Sequence, residues 1–215
     1  MLTVFGRRNS ANVQKVMWLV SELNLAHRHV PKGGSFGGLD TLEFRAMNPA
    51  GKVPVIDDDG VIVWESHAIL RYLAARSGNE AFWSASPAKR ARIEPWMDWS
   101  QSSFQPDFLN GVFWGLYRTP EPQRDWNAIR AALARCAEHT QILENMLALR
   151  PYLAGDKLSL ADITVGTHMF RYFTLDIERP ARPHLHAWYQ RLEDRPAYRE
   201  SVMVPYDELF GRLSF

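Results

Sequence analysis

Two polar residues, Ser10 and Asn12, stand where an apolar run, Leu2 to Phe5, gives way to helical spacing. At such a junction the first N–H groups of a helix are unpaired and the helix dipole favours negative charge, which suits the stabilisation of an anion. In redox proteins a cysteine uses that field. Here the segment reads Arg7, Arg8, Asn9, Ser10, Ala11, Asn12, and the one cysteine of the chain, Cys136, falls in an alanine-rich stretch of the second half. A thiolate held beside Ser10 would therefore have to arrive with a ligand. The Ser10 hydroxyl could donate to that sulfur, with Asn12 as a second donor. Lowering a cysteine-type pKa from about 8.5 by about two units takes roughly 2.7 kcal/mol, within reach of one hydroxyl and a helix end. The competing reading is that Ser10 only caps the helix.

Two further groups could complete a binding site. Val53 and Pro54 open a strand, where a proline is tolerated and the exposed edge can pair with an extended peptide ligand. Glu65 and Ser66 fall directly before a helical stretch, so the Ser66 N–H and hydroxyl could receive a carboxylate while Glu65 grips an amino group. A plain N-cap turn would look the same. Gly33, Gly34, Gly37 and Gly38 surround Phe36 in what reads as a mobile loop beside a ligand; it lacks the G-x-G-x-x-G and Lys-Ser or Lys-Thr features of a phosphate cradle. His27 with His29 and His184 with His186 have no neighbouring ligands that would complete a metal set, and no metal is expected.

The elements that must position these residues alternate in the first 78 positions. Leu2–Phe5 suits a buried strand, and Val13, Val16, Met17, Val20 and Leu23 mark one face of a helix. A short strand, His27–Val30, and a short helix, Leu39–Ala46, follow. Val53–Ile56 and Val61–Trp64 form a hairpin through Asp59-Gly60, and Glu65–Arg76 returns to helical spacing. The order βαβαββα is that of a thioredoxin-like α/β domain, assigned to residues 1–78. After a linker at 79–86, residues 87–215 read as an all-α helical domain. There, Pro95 and Pro106 should bend or interrupt an aromatic-rich helix, Trp126–Leu149 forms one long helix, and Ser159 with Asp162 forms a capping box closed by Leu158 and Ile163. Ser201–Phe215 is apolar enough to pack back on the protein.

Composition narrows the function classes. Apolar residues make up 46% and charged residues 23%, the balance of a globular protein, and 25 Lys plus Arg against 24 Asp plus Glu leave a formal charge of +1. Such a chain has no field to draw in nucleic acid or an anionic membrane. No run approaches the ~18 apolar residues of a spanning helix, and one cysteine permits no internal disulfide, so a cytoplasmic location is expected.

Together, Gly6 to Val16, Asn48 to Val55 (N-P-A-G-K-V-P-V), Trp64 to Leu70 (W-E-S-H-A-I-L) and Leu158 to Ile163 resemble the glutathione transferase family across nearly the whole chain. Each segment alone is weak, but four in order are specific. The resemblance implies that glutathione is the cosubstrate, that Val53 binds its cysteinyl backbone, that Pro54 is cis, that Glu65 and Ser66 hold the γ-glutamyl end, and that Lys52 approaches the glycyl carboxylate. Ser10 matches the hydroxyl position of the serine-type classes, and Asn12 resembles an asparagine that helps hold sulfur in some bacterial members. Gln14 departs from the arginine that several serine-type members carry. The resemblance further implies a homodimer and a detoxification role. Trp99, Ser103 and Trp114 are candidates for the electrophile pocket. Conjugation to a small electrophile leads; a glutathione-dependent disulfide oxidoreductase and a non-catalytic binding protein of the same fold are the alternatives.

Overall fold

The computed structural model describes residues 1–214. It divides into two compact units, Met1–Trp83 with Pro196–Pro205, and Ser84–Arg195 with Tyr206–Ser214. The first unit therefore takes in a C-terminal stretch that the sequence reading places in the helical half at 87–215. Residue 215 lies outside the described residues.

In the first unit the elements are β1 (Leu2–Phe5), α1 (Ala11–Glu22), β2 (His27–Val30), α2 (Leu42–Met47), β3 (Val55–Asp58), β4 (Val61–Trp64) and α3 (Ser66–Ser77). The four strands form one sheet in the order β2-β1-β3-β4. β1 and β2 are parallel, whereas β3 is antiparallel to both β1 and β4. Val4, Ile56, Ile69, Leu70 and Leu73 are fully buried, and each such side chain contributes about 1.5–3 kcal/mol. The hairpin turns at Asp59 (φ 51°) and Gly60 (φ 92°), with Gly60 N donating to Asp57 Oδ1 at 2.8 Å; positive φ at both central positions matches the right-handed strand twist. α2 starts at Leu42 rather than Leu39 because Thr41 is the cap, its Oγ1 accepting from Phe44 N at 3.2 Å.

α1 is packed on two sides, by α3 and by the C-terminal helix Pro196–Ser201. On the second side Trp18 meets Tyr198 edge-on at 4.7 Å and Gln14 Nε2 donates to Val202 O at 3.3 Å. This double cover buries Gln14 and Lys15 along with the apolar face.

The second unit contains α4 (Pro87–Arg90), α5 (Glu94–Trp99), α6 (Trp126–Leu147), α7 (Leu160–Gly166), α8 (Met169–Thr174) and α9 (Pro183–Glu193); the helix Pro196–Ser201 is α10 of the first unit. Beyond α5 the backbone stays helical in wider π-type turns, Ser100–Phe104 and Pro106–Arg118. Neither proline interrupts it. Pro95 sits in the first turn of α5, where its missing donor is not needed, and at Pro106 the wider turns accommodate the missing N–H. Gly111 and Gly115 face α6 so closely that a Cβ at Gly111 would stand 2.7 Å from Ala132 Cβ, and one at Gly115 2.9 Å from Ile129 Cγ1. The long helix α6 ends at Leu147, two residues before the expected Leu149, and is capped by Asp125, whose Oδ1 accepts from Asn127 N and Ala128 N.

The capping box at α7 is present. The fully buried Asp162 carboxylate accepts from Ser159 N (2.9 Å), Ser159 Oγ (2.9 Å), Leu153 N (2.8 Å) and Trp188 Nε1 (3.1 Å). No helix among the described residues is long and apolar enough to cross a membrane.

Candidate functional site

Strand register brings the candidate residues of the first unit to one edge of the sheet. Phe5, the last residue of β1, pairs with Val30 at the end of β2 and with Val55 at the start of β3. Val55 in turn pairs with Trp64 at the end of β4. The Ser10–Asn12 turn, the Phe36 loop, Lys52–Pro54 and Glu65–Ser66 all leave or enter the sheet at that edge.

Gly6 fixes how closely the first and third segments approach. Its φ is 149°, and a Cβ there would lie 2.4 Å from Val13 Cγ2 and 3.1 Å from Val53 Cβ. Only a residue without a side chain lets the head of α1 and the Val53 loop meet in this way. Beyond Gly6 the chain reaches Ser10, the N-cap of α1, with extended backbone (φ −79°, ψ 122°) and no side-chain capping bond. The competing reading of Ser10 as an occupied cap is thus not what the geometry shows: its half-buried hydroxyl is left for another partner. Asn12 is half-buried in the first turn.

The loop before β3 is held by Asn48, which is buried. Its Nδ2 donates to Lys52 O at 2.8 Å and its Oδ1 accepts from Ala50 N at 2.9 Å. The Val53–Pro54 peptide bond is cis; Val53 is half-buried and Lys52 exposed. Asn48 was not among the candidate residues, although its place at the head of the N-P-A-G turn, where asparagine bonds its own backbone, was the available signal.

Glu65 precedes α3 with φ 67° and ψ 119°, a conformation that costs a non-glycine residue about 1–3 kcal/mol and is found where function holds the backbone. The Glu65 side chain is exposed and Ser66, the first residue of α3, is buried. Glu65 makes no side-chain capping bond, so the Ser66 end of the helix keeps its donors for a ligand. Phe36 is 57% exposed in a single 3-10 turn, Gly34–Phe36, closed by Gly33 N donating to Gly37 O at 2.8 Å; the glycine loop is a defined turn.

Behind Asn12 lies a buried polar chain that sequence reasoning missed. Lys15 Nζ, fully buried, is 3.1 Å from Asn12 Oδ1 and 3.2 Å from His67 Nε2. Burial pushes the Lys15 ammonium down to about 7, the Glu65 carboxylate pulling the other way. Burial, with the positive charges of Lys15 and Arg71, pushes the His67 imidazole down to about 2. No pattern marks Lys15, since it falls off the apolar face of α1; His67 on α3 meets it there.

The pocket candidates lie in the second unit. Trp99 is half-buried, stacked on Phe104 (5.7 Å, 5°) and edge-on to His139. Ser103 is half-buried, and the exposed Trp114 is covered by the Arg118 guanidinium at 4.0 Å. The aromatic series is divided between faces: Phe104, Phe108 and Phe113 are core. Cys136 is buried and its thiol is pushed up to about 12, mainly by desolvation, as suits a packing residue. No group of three or more His, Cys, Asp or Glu residues that could hold a metal occurs among the described residues.

Comparison with known proteins gives this edge a context. Residues 1–75 match the model of the glutathione S-transferase N-terminal domain and residues 107–196 that of the C-terminal domain. The glutathione S-transferase GstB of Escherichia coli K12 is 40% identical over 207 residues, covering 95% of this chain and 99% of that protein. Glutathione S-transferase 3 of Zea mays is 29% identical over 209 residues, 94% of this chain and 93% of its own. Among solved structures, a theta class glutathione S-transferase from Xanthomonas axonopodis pv. citri, with glutathione bound, superposes with a TM-score of 0.90 at 44% identity, covering 95% of this chain and 98% of that one. Two domain models in register and a relative matched end to end place the chain, a transferase, in the glutathione S-transferase family.

Proposed function

We propose that the chain conjugates glutathione to a small electrophile, with the thiol ionised at the N-terminus of α1. The observation that carries this reading is Ser10: an N-cap residue of a 12-residue helix whose hydroxyl makes no capping bond. That hydroxyl donates to the incoming sulfur, and Asn12 supplies a second donor. The Val53 backbone pairs with the cysteinyl residue. Glu65 and Ser66 hold the γ-glutamyl amino and carboxylate groups, Lys52 lies toward the glycyl carboxylate, and Phe36 flanks the tripeptide. The solved Xanthomonas relative, with glutathione bound, supports the choice of cosubstrate.

In the reaction the thiolate lone pair forms a carbon–sulfur bond and the electrophile's leaving group departs with its bonding pair. The protein contributes orientation and charge stabilisation and forms no covalent intermediate. Trp99, Ser103 and Trp114 contribute to the electrophile site. We further propose a homodimer, in keeping with the family, acting in detoxification in the reducing cytosol that a lone buried cysteine suits.

The test is the ultraviolet absorbance of the bound thiolate against pH, with turnover of an aryl halide. Ser10→Ala should raise the apparent thiol pKa by about one unit, the helix end and Asn12 being left in place, and lower the rate, with glutathione affinity nearly unchanged. An unaltered pH profile removes Ser10 from this role.

A further inference from the structure

We infer that Lys15 is a positioning residue for the sulfur site: its buried Nζ, shared between Asn12 and His67, fixes the Asn12 carboxamide with its NH2 end toward the bound thiol. The inference rests on the reading that the thiol lies at Ser10 and Asn12.

The argument is one of donors and acceptors. In its charged form Lys15 has three donors and no acceptor, so below about pH 7 the atom of Asn12 that faces it at 3.1 Å must be the carbonyl oxygen. With the oxygen turned inward, the two N–H donors of the amide face the other way, to the open side of α1's first turn. The same reasoning fixes His67. Its Nε2, 3.2 Å from Nζ, must carry the lone pair, so the ring is neutral with its proton on Nδ1. A depressed imidazole pKa agrees with a ring that accepts from a cation.

The surroundings are closed. From α3 come His67 and Arg71, and from the turn before it Glu65, the carboxylate that favours the charged lysine. On the opposite side of α1 lie Tyr198 of α10 and Val202 just beyond it, while Arg199 and Glu200 are exposed. A lysine enclosed in this way carries a desolvation cost that an apolar residue would avoid. A deprotonated or absent Lys15 leaves the amide free to turn its oxygen to the sulfur, where it opposes the thiolate. The ammonium thus sets the direction of the second donor and adds positive charge behind the helix N-terminus.

The experiment is a double-mutant cycle read as the apparent pKa of the glutathione thiol in the binary complex. Lys15→Met should raise it by about one unit, a tenfold change in the ionisation constant of the bound thiol. Asn12→Ala should do the same, and the double variant should do no more than either alone, with glutathione affinity little altered in all three. A Lys15→Met thiol pKa equal to that of the unmodified protein, or full additivity with Asn12→Ala, overturns the inference. Circular dichroism shows whether each variant folds. Should Lys15→Met not fold, the cycle is run with Lys15→Gln, and additivity overturns the inference in the same way. Absence of any thiolate signal from the unmodified protein would instead refute the sulfur site itself. A clear signal that Lys15 variants leave alone refutes only the role of Lys15.

Discussion

Replacing Asp162 by asparagine and by alanine should give two distinct losses of stability, in an order set by the four bonds its carboxylate accepts. Leu153 N and Trp188 Nε1 both donate to Oδ1, and Ser159 N and Oγ both donate to Oδ2. In Asp162→Asn the amide oxygen takes the Oδ1 place and keeps its two bonds, and the amide NH2 can donate to the Ser159 hydroxyl by reversing that bond. Only Ser159 N is then left without an acceptor, at about 1–3 kcal/mol. In Asp162→Ala three buried N–H groups lose their acceptor, so the loss should reach about 3–9 kcal/mol, a large part of the 5–15 kcal/mol typical of a domain. Urea denaturation followed by tryptophan fluorescence measures both. The pH dependence adds a second check. Burial raises the Asp162 carboxyl to about 6, against the pull of its four hydrogen bonds, so between about pH 4 and 6 the folded chain holds more protons than the unfolded one. The contribution of this group therefore falls as pH rises through that window, and Asp162→Asn lacks the slope. Equal losses for the two variants, or a loss for alanine under about 1 kcal/mol, would refute the acceptor argument.

Glu65→Gly should keep or raise the unfolding midpoint, because glycine adopts φ 67° without strain, while calorimetry shows glutathione affinity weakened by more than ~10-fold through loss of the amino-group contact. Gly111→Ala should cost about 1–3 kcal/mol by pushing the Pro106–Arg118 helix from α6, and Ala132→Gly in the same chain should restore most of it in thermal melts. Since burial pushes Lys15 down from 10.5 to about 7, the folded chain holds fewer protons than the unfolded one between those values. Its stability contribution should therefore rise with pH across that window, and the slope should vanish in Lys15→Met. Cys136, buried with its thiol pushed up to about 12, should react with an aromatic disulfide reagent at neutral pH only after denaturant is added.

The sequence carried the parts of the site that depend on local chain geometry. Gly6, the N-P-A-G-K-V-P turn and the Asp-Gly hairpin each fix a backbone conformation within a few residues, and strand register does the rest: once β1 pairs with β3, Ser10 and Val53 cannot be far apart. What stayed hidden depends on cover from distant segments. Gln14 and Lys15 lie off the apolar face of α1 and look like surface residues until distant segments cover them, the chain at Val202 for Gln14 and His67 of α3 for Lys15. Likewise Pro106 reads as a breaker, because proline rules assume an α-type ladder, and the wider turns there remove the conflict. The start of α2 differs for a smaller reason: Thr41 competes with Leu39 as the point of entry, and its hydroxyl decides.

The return of Pro196–Pro205 to the first unit has a consequence for biosynthesis. Trp18, wholly enclosed in the finished molecule, has one flank that waits for Tyr198 to leave the ribosome. A nascent chain that has emitted only the first sheet and its helices carries an unfinished apolar flank through the synthesis of more than half its length, and for that interval it offers chaperones a docking surface that the completed enzyme withdraws.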